Sequence, residues 1–260
     1  VIFFSILFGV SIILIPPAKA KPIKDFFDSF NEVVLKIIDI IMMFAPYGVF
    51  ALLAALIVEA PNPDLLMSLL MYSITLLLGL ISMIIIYVMI VKLITGRNPI
   101  SFLKGILPAQ LVAFSTSSSA ATLPVTMDRV QNHLNVEKEV SSFVLPIGAT
   151  INMDGTAIMQ GVATVFIANA YSIDLSFADY LMVILIATLA SIGTAGVPGV
   201  GLIMLAMVLN QVGLPVEGIA LIIGVDRLLD MLRTVVNVTG DSTISTIVAN
   251  SENQLEQRNL

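Results

Sequence analysis

Residues 149–161 read "ATINMDGTAIMQG". They lie in an apolar segment long enough to cross a membrane, yet Asn152, Asp154 and Gly155 fall near its middle. A charge at mid-bilayer costs about 3 to 10 kcal/mol, and a glycine weakens a helix by about 1 kcal/mol. An acid and a helix-breaker at that depth need compensation, and the rest of the chain has to supply it.

The surrounding chain sets the solvent. It has 260 residues, 58% hydrophobic and 12% charged, and a mean hydropathy of +1.02. That composition belongs to an all-α polytopic membrane protein, not to a soluble domain with buried helices. The absence of cysteine excludes disulfides and thiolate metal sites. The net charge of −6 marks topology rather than partners, and no nucleic-acid partner is expected. The chain opens at Val1 inside an apolar run that has neither a basic flank nor a cleavage site, so a preceding N-terminal part is expected.

Charge-free runs over residues 1–18, 40–58 and 65–91 read as ordinary spans, the second led in by an amphipathic stretch, 26–39. Four later segments differ. Residues 105–127 hold "FSTSSSAAT" in their middle. Residues 140–172 are interrupted at Asn152–Gly155. Residues 180–216 are uncharged throughout, too long for one span, and contain "SIGTAGVPGVG" (191–201), which no continuous helix tolerates. Residues 218–250 are apolar but carry Asp226, Arg227, Asp230, Arg233 and Asp241.

Basic residues orient these pieces. Lys19, Lys21 and Lys24 follow the first span and Lys92, Arg97 and Lys104 the third, whereas 59–64 holds Glu59 and Asp64 and no basic residue. If the serine-rich segment crossed, Arg129 and Lys138 would lie outside and the acidic loop 173–179 inside. If it enters and turns back, both placements obey the rule. The same test makes 180–216 a re-entrant hairpin from the opposite side. The order hairpin, interrupted helix, hairpin, polar helix is that of an inverted repeat. Non-helical backbone at this depth is allowed where protein or a watered cavity satisfies it. The expected elements are a helix 65–95, a cytoplasmic hairpin 100–127, a broken helix 140–172, an extracellular hairpin 180–215 and a polar helix 217–250.

Asp226, Asp230, Arg233, Asn237 and Asp241 are spaced 4, 3, 4 and 4, within an arc of about 80° on one helix face. An internal Asp230–Arg233 pair would explain one acid, not three plus an amide. Arg233 is a planar fork suited to a carboxylate and Asp230 to an ammonium. Asp241, Asn237, Asn152 and Asp154, with carbonyls of the broken helix, are hard ligands for a cation such as Na⁺. On this reading a cation neutralises Asp154, and Gly155 lets the helix unwind. The serine run is either a tight helix contact or a hairpin tip facing a substrate carboxylate. A channel would need a continuous polar pore, whereas these groups cluster at one depth with both signs. An enzyme is not expected: a serine nucleophile would want a partner base, and the only histidine, His133, sits in a charged loop.

"STSSSAATLP" (115–124), "GATINMDGTA" (148–157), "SIGTAGVPGVG" and "DRLLDMLRTVVNVTGD" (226–241), in that order and spacing, resemble the dicarboxylate/amino acid:cation symporters, the family of the excitatory glutamate transporters and their prokaryotic homologues. The resemblance covers essentially the whole chain. It implies Na⁺-coupled symport of L-glutamate or L-aspartate by an elevator movement, in a homotrimer in the plasma membrane, the inner membrane if the source is bacterial. H⁺ coupling, or a C4-dicarboxylate or neutral amino acid substrate, is the alternative within the family. Residues 1–64 would be the end of the scaffold region and 65–260 mainly the transport domain, with about three helices and part of a fourth preceding residue 1.

By the same resemblance Arg233 holds the substrate side-chain carboxylate, Asp230 its amine, and Asn237 and the tip serines Ser118 and Ser119 its α-carboxylate, with Thr156, Val197, Gly201 and Thr234 completing the pocket. One Na⁺ uses Gly148, Asn152, Asn237 and Asp241. A second uses Thr150, Ser191, Ile192 and Thr194. A third uses Asn152 and Asp154, next to Met153, with ligands from an earlier helix. The acid at Asp230 and the arginine at Arg233 imply an acidic amino acid. Gln160, where animal glutamate transporters carry a glutamate, implies no K⁺ antiport. Family members place a second arginine at the positions of Ser117 or Met231; here neither is arginine, and Arg227 lies one turn before Met231.

Overall fold

The computed structural model describes residues 2–44 and 63–252, with 47, 50, 51 and 54 of the segment between. Two compact units divide the chain, Val1–Ala51 and Leu52–Leu260. In the first, α1 (Ile2–Leu14) is followed by α2 (Pro17–Met43). Lack of charge would allow a span over 1–18, but the helix stops at Leu14. Ile15 precedes Pro16, and Pro16 precedes Pro17, and a residue before proline is driven out of the helical region. At 13 residues α1 measures about 20 Å. α2 carries Lys19, Lys21 and Lys24 inside the helix instead of in a loop, and Phe8 meets Phe27 edge-on at 5.8 Å. The expected span 40–58 and acidic loop 59–64 lie largely outside the described residues.

The second unit holds every candidate site residue. Its described helices are α3 (Pro63–Thr95), α4 (Pro99–Thr116), α5 (Ser119–Asn132), α6 (Lys138–Ile151), α7 (Asp154–Ala170), α8 (Phe177–Ile192), α9 (Val200–Gln211) and α10 (Ile219–Ser251), with a single 3₁₀ turn, Val216–Gly218, before α10. No strand occurs among the described residues. Within α3, Leu66–Thr95 is the one described helix long and apolar enough to cross a membrane. Leu70, Ile74, Leu78, Ile81, Ile85 and Met89 form an exposed stripe along it, a face that lipid accepts without cost.

Local chemistry sets the helix ends. The Asn98 side chain accepts the Ile100 amide N–H at 2.9 Å, and Pro99 opens α4 at the position where a missing donor costs nothing. α4 stops at Ser117, which is left-handed (φ 51°), and the next residue, Ser118, caps α5 by accepting the Ala121 N–H at 3.1 Å. Two residues therefore turn α4 into α5, and the two helices pack along each other. Ser176 and Asp179 form a reciprocal cap on α8, and Gly199 (φ 78°) opens α9. Between α6 and α7, Asn152 and Met153 leave helical geometry (φ/ψ −89°/79° and −112°/47°).

α10 packs against α3, α4, α5, α6 and α7. Leu76, Met159, Leu205, Leu209 and Ile222 form one fully buried core around it; Phe102, Ile106, Val130, Leu145 and Ala249 form a second. Much of the buried surface of α10 is small and polar. Thr239, Ser242 and Thr246 donate to the carbonyls four residues back, at 2.7 to 2.9 Å, so their burial leaves no donor unpaired. Such residues let neighbouring helices approach closely.

Candidate substrate and cation site

The break between α6 and α7 faces α10. The Asn152 Nδ2 donates to Asp241 Oδ1 at 2.9 Å and to the Asn237 carbonyl at 3.2 Å. Gly148 is pressed against the same carboxylate: a Cβ there would lie 2.6 Å from Asp241 Oδ1. In the first turn of α7 the Gly155 amide donates to Asn237 Oδ1 at 2.8 Å, and Asn237 Nδ2 donates to Met153 Sδ at 3.3 Å. Asp154 stands in the first turn of α7, where the helix dipole favours an anion, and accepts the Tyr87 hydroxyl of α3.

Gly155 does not act as a helix-breaker. It lies inside α7, and a Cβ on it would sit 2.6 Å from the Arg233 carbonyl oxygen and 3.0 Å from its Cα. The unwinding is at Asn152–Met153. The glycine serves close approach of α7 to α10.

The α4–α5 and α8–α9 turns meet. The Ser118 hydroxyl donates to the Gly196 carbonyl at 2.6 Å, and the Ala120 amide donates to the same oxygen at 3.1 Å. A Cβ on Gly196 would lie 2.7 Å from the Ala149 carbonyl at the end of α6. Three elements thus converge at one residue.

Arg233, on α10, has no solvent exposure. Its Nη2 donates to Asp230 Oδ1 at 2.9 Å, and its Nη1 lies 3.0 Å from Asp226 Oδ1. The Nη1 contact is an ion pair off the line of a hydrogen bond, and Nε has no acceptor. Gly201, on the first turn of α9, faces Arg233 and Thr156: its Cβ position is 3.7 Å from Nη1 and 3.4 Å from Thr156 Cγ2. Asp230 Oδ2 accepts the Gly199 amide at 3.2 Å, with Arg227 Nη1 3.9 Å away. An apolar cavity of about 760 Å³ between α3, α7 and α8, lined by residues such as Met67, Val162 and Phe166, holds none of these groups.

Residues 1–251 match the model of the sodium:dicarboxylate symporter family. The chain belongs to that family. It is 44% identical to excitatory amino acid transporter 1 of Ambystoma tigrinum over 94% of this chain and 45% of that protein. For excitatory amino acid transporter 1 of Homo sapiens the values are 42%, 99% and 48%, and for excitatory amino acid transporter 3 of Oryctolagus cuniculus 43%, 98% and 49%. The chain therefore spans about half the length of these relatives, which are named as transporters. Family and apolar helix together make it a membrane protein.

In this symporter-family chain the expected residues divide into those drawn together and those left apart. Gly148, Asn152, Asn237 and Asp241 form one cluster; Asp230, Arg233, Thr156 and Gly201 form a second; Met153 and Gly155 link the two through Asn237. Thr234 hydrogen-bonds within α10, to the Asp230 carbonyl. Ser119 is buried against Gly196, and Val197 is half-buried in the α8–α9 turn. No hydrogen bond among the described residues joins Thr150 to Ser191, Ile192 or Thr194. Thr150 is exposed and donates to the Ile147 carbonyl, Ile192 is exposed, and Ser191 and Thr194 bond back within the end of α8.

Tyr87, Asp226, Gly196 and Gly199 enter the site without having been assigned to it from sequence. Asp226 does lie on the polar face of α10, and Tyr87 is a hydroxyl amid an aliphatic run, "IIIYVMIV". Both were visible signals.

Proposed function

We propose that the protein is a secondary active transporter that couples uptake of L-glutamate or L-aspartate to Na⁺. One observation carries this reading: Arg233 is wholly buried, its Nε has no acceptor, and its Nη1 has only an ion pair to Asp226. An unsatisfied buried polar group costs about 1–3 kcal/mol, and more when charged. A planar substrate carboxylate offers the fork the in-line bidentate hydrogen bonds that its separate contacts to Asp226 and Asp230 do not supply. Asp230 then receives the substrate ammonium. Asn237 Nδ2, now on a weak thioether acceptor, turns to the α-carboxylate with Ser118 and Ser119. Thr156, Val197, Gly201 and Thr234 close around the ligand.

Gly148, Asn152, Asn237 and Asp241 are the first Na⁺ site. The Asn152 amide rotates to present its oxygen in place of Nδ2, and the ion sits between it and Asp241. Asp154, Asn152 and Met153 frame a further site. Thr150, Ser191, Ile192 and Thr194 form the remaining one once α8 and the end of α6 approach. Moving a net negative substrate into a negative-inside cell costs about 2.3 kcal/mol per 100 mV, and two or more co-transported cations reverse that sign.

The α4–α5 and α8–α9 pairs are the re-entrant hairpins of an inverted repeat. The α8–α9 turn must lift for substrate to reach Arg233. Residues 65–260 are mainly the moving domain of an elevator and 1–64 part of its scaffold, in a homotrimer in the plasma membrane. Uptake of labelled L-aspartate into proteoliposomes, with and without an inward Na⁺ gradient, tests the reading. Accumulation only with the gradient is expected; equal uptake without it, or none with it, overturns the proposal.

A further inference from the structure

Resting on that reading of the site, we infer that Arg227 is a specificity-determining residue: it is a built-in cation that competes with the substrate amine for Asp230 and so sets how strongly the transporter prefers amino acids over plain dicarboxylates. The observations are geometric. Both oxygens of Asp230 are engaged. Oδ1 takes Arg233 Nη2 at 2.9 Å, and Oδ2 takes the Gly199 amide at 3.2 Å with Arg227 Nη1 at 3.9 Å. Asp226, 3.0 Å from Arg233, completes a group of two guanidiniums and two carboxylates. The group is electrically balanced before any ligand arrives.

That balance has opposite consequences for two ligand classes. An amino acid brings an ammonium that must take Oδ2, and two cations at one oxygen repel each other. Arg227 has to withdraw. It can do so, because its side chain is 20% exposed and sits on a flexible stem, whereas Arg233 is enclosed. A dicarboxylate without an amine leaves Arg227 in place, and Asp230 stays neutralised beneath it. Without Arg227 the second ligand would meet an uncompensated carboxylate, and the first would gain an uncontested one. The cation at Arg227 therefore narrows the gap between the two classes.

The test is competition against labelled L-aspartate binding to the intact transporter in proteoliposomes, with unlabelled L-aspartate and succinate as competitors. The quantity read is the ratio of the two inhibition constants. Arg227→Gln is expected to raise the succinate-to-aspartate ratio about tenfold, a difference of about 1.4 kcal/mol, while Arg227→Lys, which keeps the charge, stays within about threefold of the parent. A ratio in Arg227→Gln within twofold of the parent overturns the inference, as does Arg227→Lys behaving like Arg227→Gln. Either failure with aspartate still bound leaves the substrate assignment standing. A parent protein that binds neither ligand overturns both.

Discussion

Ser118 of the α4–α5 turn and Gly196 of the α8–α9 turn are joined by a 2.6 Å hydrogen bond from the serine hydroxyl to the glycine carbonyl. Gly196 also lies against the end of α6 and the start of α5: a Cβ would stand 2.7 Å from the Ala149 carbonyl and 3.2 Å from the Ala120 nitrogen. Backbone atoms cannot give way as a flexible side chain can. Gly196→Ala should therefore hold the turns apart, folding normally but raising the aspartate Kd at least about tenfold, or about 1.4 kcal/mol. Calorimetric binding beside a thermal melt checks it; an unchanged Kd would mean that the turns need not touch.

Gly155→Ala separates two explanations of that glycine. Were it present to loosen the helix, alanine would stabilise the protein by about 1 kcal/mol. Because its Cβ would meet the Arg233 backbone at 2.6 Å, the substitution should instead destabilise by about 1–3 kcal/mol through overpacking. The thermal midpoint in detergent decides between them by its sign.

Asp241→Asn keeps the shape of the first cation cluster and removes its charge. The Na⁺ concentration for half-maximal aspartate uptake is expected to rise at least about tenfold, equivalent to about 1.4 kcal/mol. Unaltered Na⁺ dependence would place the ion elsewhere.

At the start of α8, Asp179 accepts the Ser176 amide at 2.8 Å and its hydroxyl at 2.7 Å, and these bonds hold its carboxyl below the usual range. A depressed folded-state pKa gives stability that is present above the unfolded value, about 3.8, and is lost as pH falls through the folded one. Asp179→Asn should thus melt lower than the parent by a steady margin from pH 7 to 5, shrinking only below about pH 4. A margin that vanishes near pH 6 would contradict the cap.

Chain punctuation made much of the helical architecture legible. The apolar runs break where "TSSS", "INMDG" and "GTAGVPG" interrupt them, because polar side chains, glycine and proline compete with helical geometry over a few neighbouring residues. The polar face of α10 was equally local, set by spacing alone. What stayed hidden depends on distant pairs. Tyr87 and Asp154 are 67 residues apart, and Ser118 and Gly196 are 78. Gly155 read as a breaker because sequence shows conformational freedom but not the neighbouring helix that needs the space. Asp226 shared the polar face, yet nothing in its spacing distinguished a partner of Arg233 from a group facing ligand. The stop of α1 at Leu14 was local, but the charge count ignored the two prolines that cause it.

The most direct test of the central claim, that a buried Arg233 receives the acidic side chain, is substrate selectivity of Arg233→Cys in proteoliposomes. Loss of the fork should weaken L-aspartate by about 3 kcal/mol or more, the scale of a truncated buried charge pair, while L-serine, which has no side-chain carboxylate, is bound as well as or better than by the parent. Aspartate uptake that persists unchanged in Arg233→Cys would contradict it.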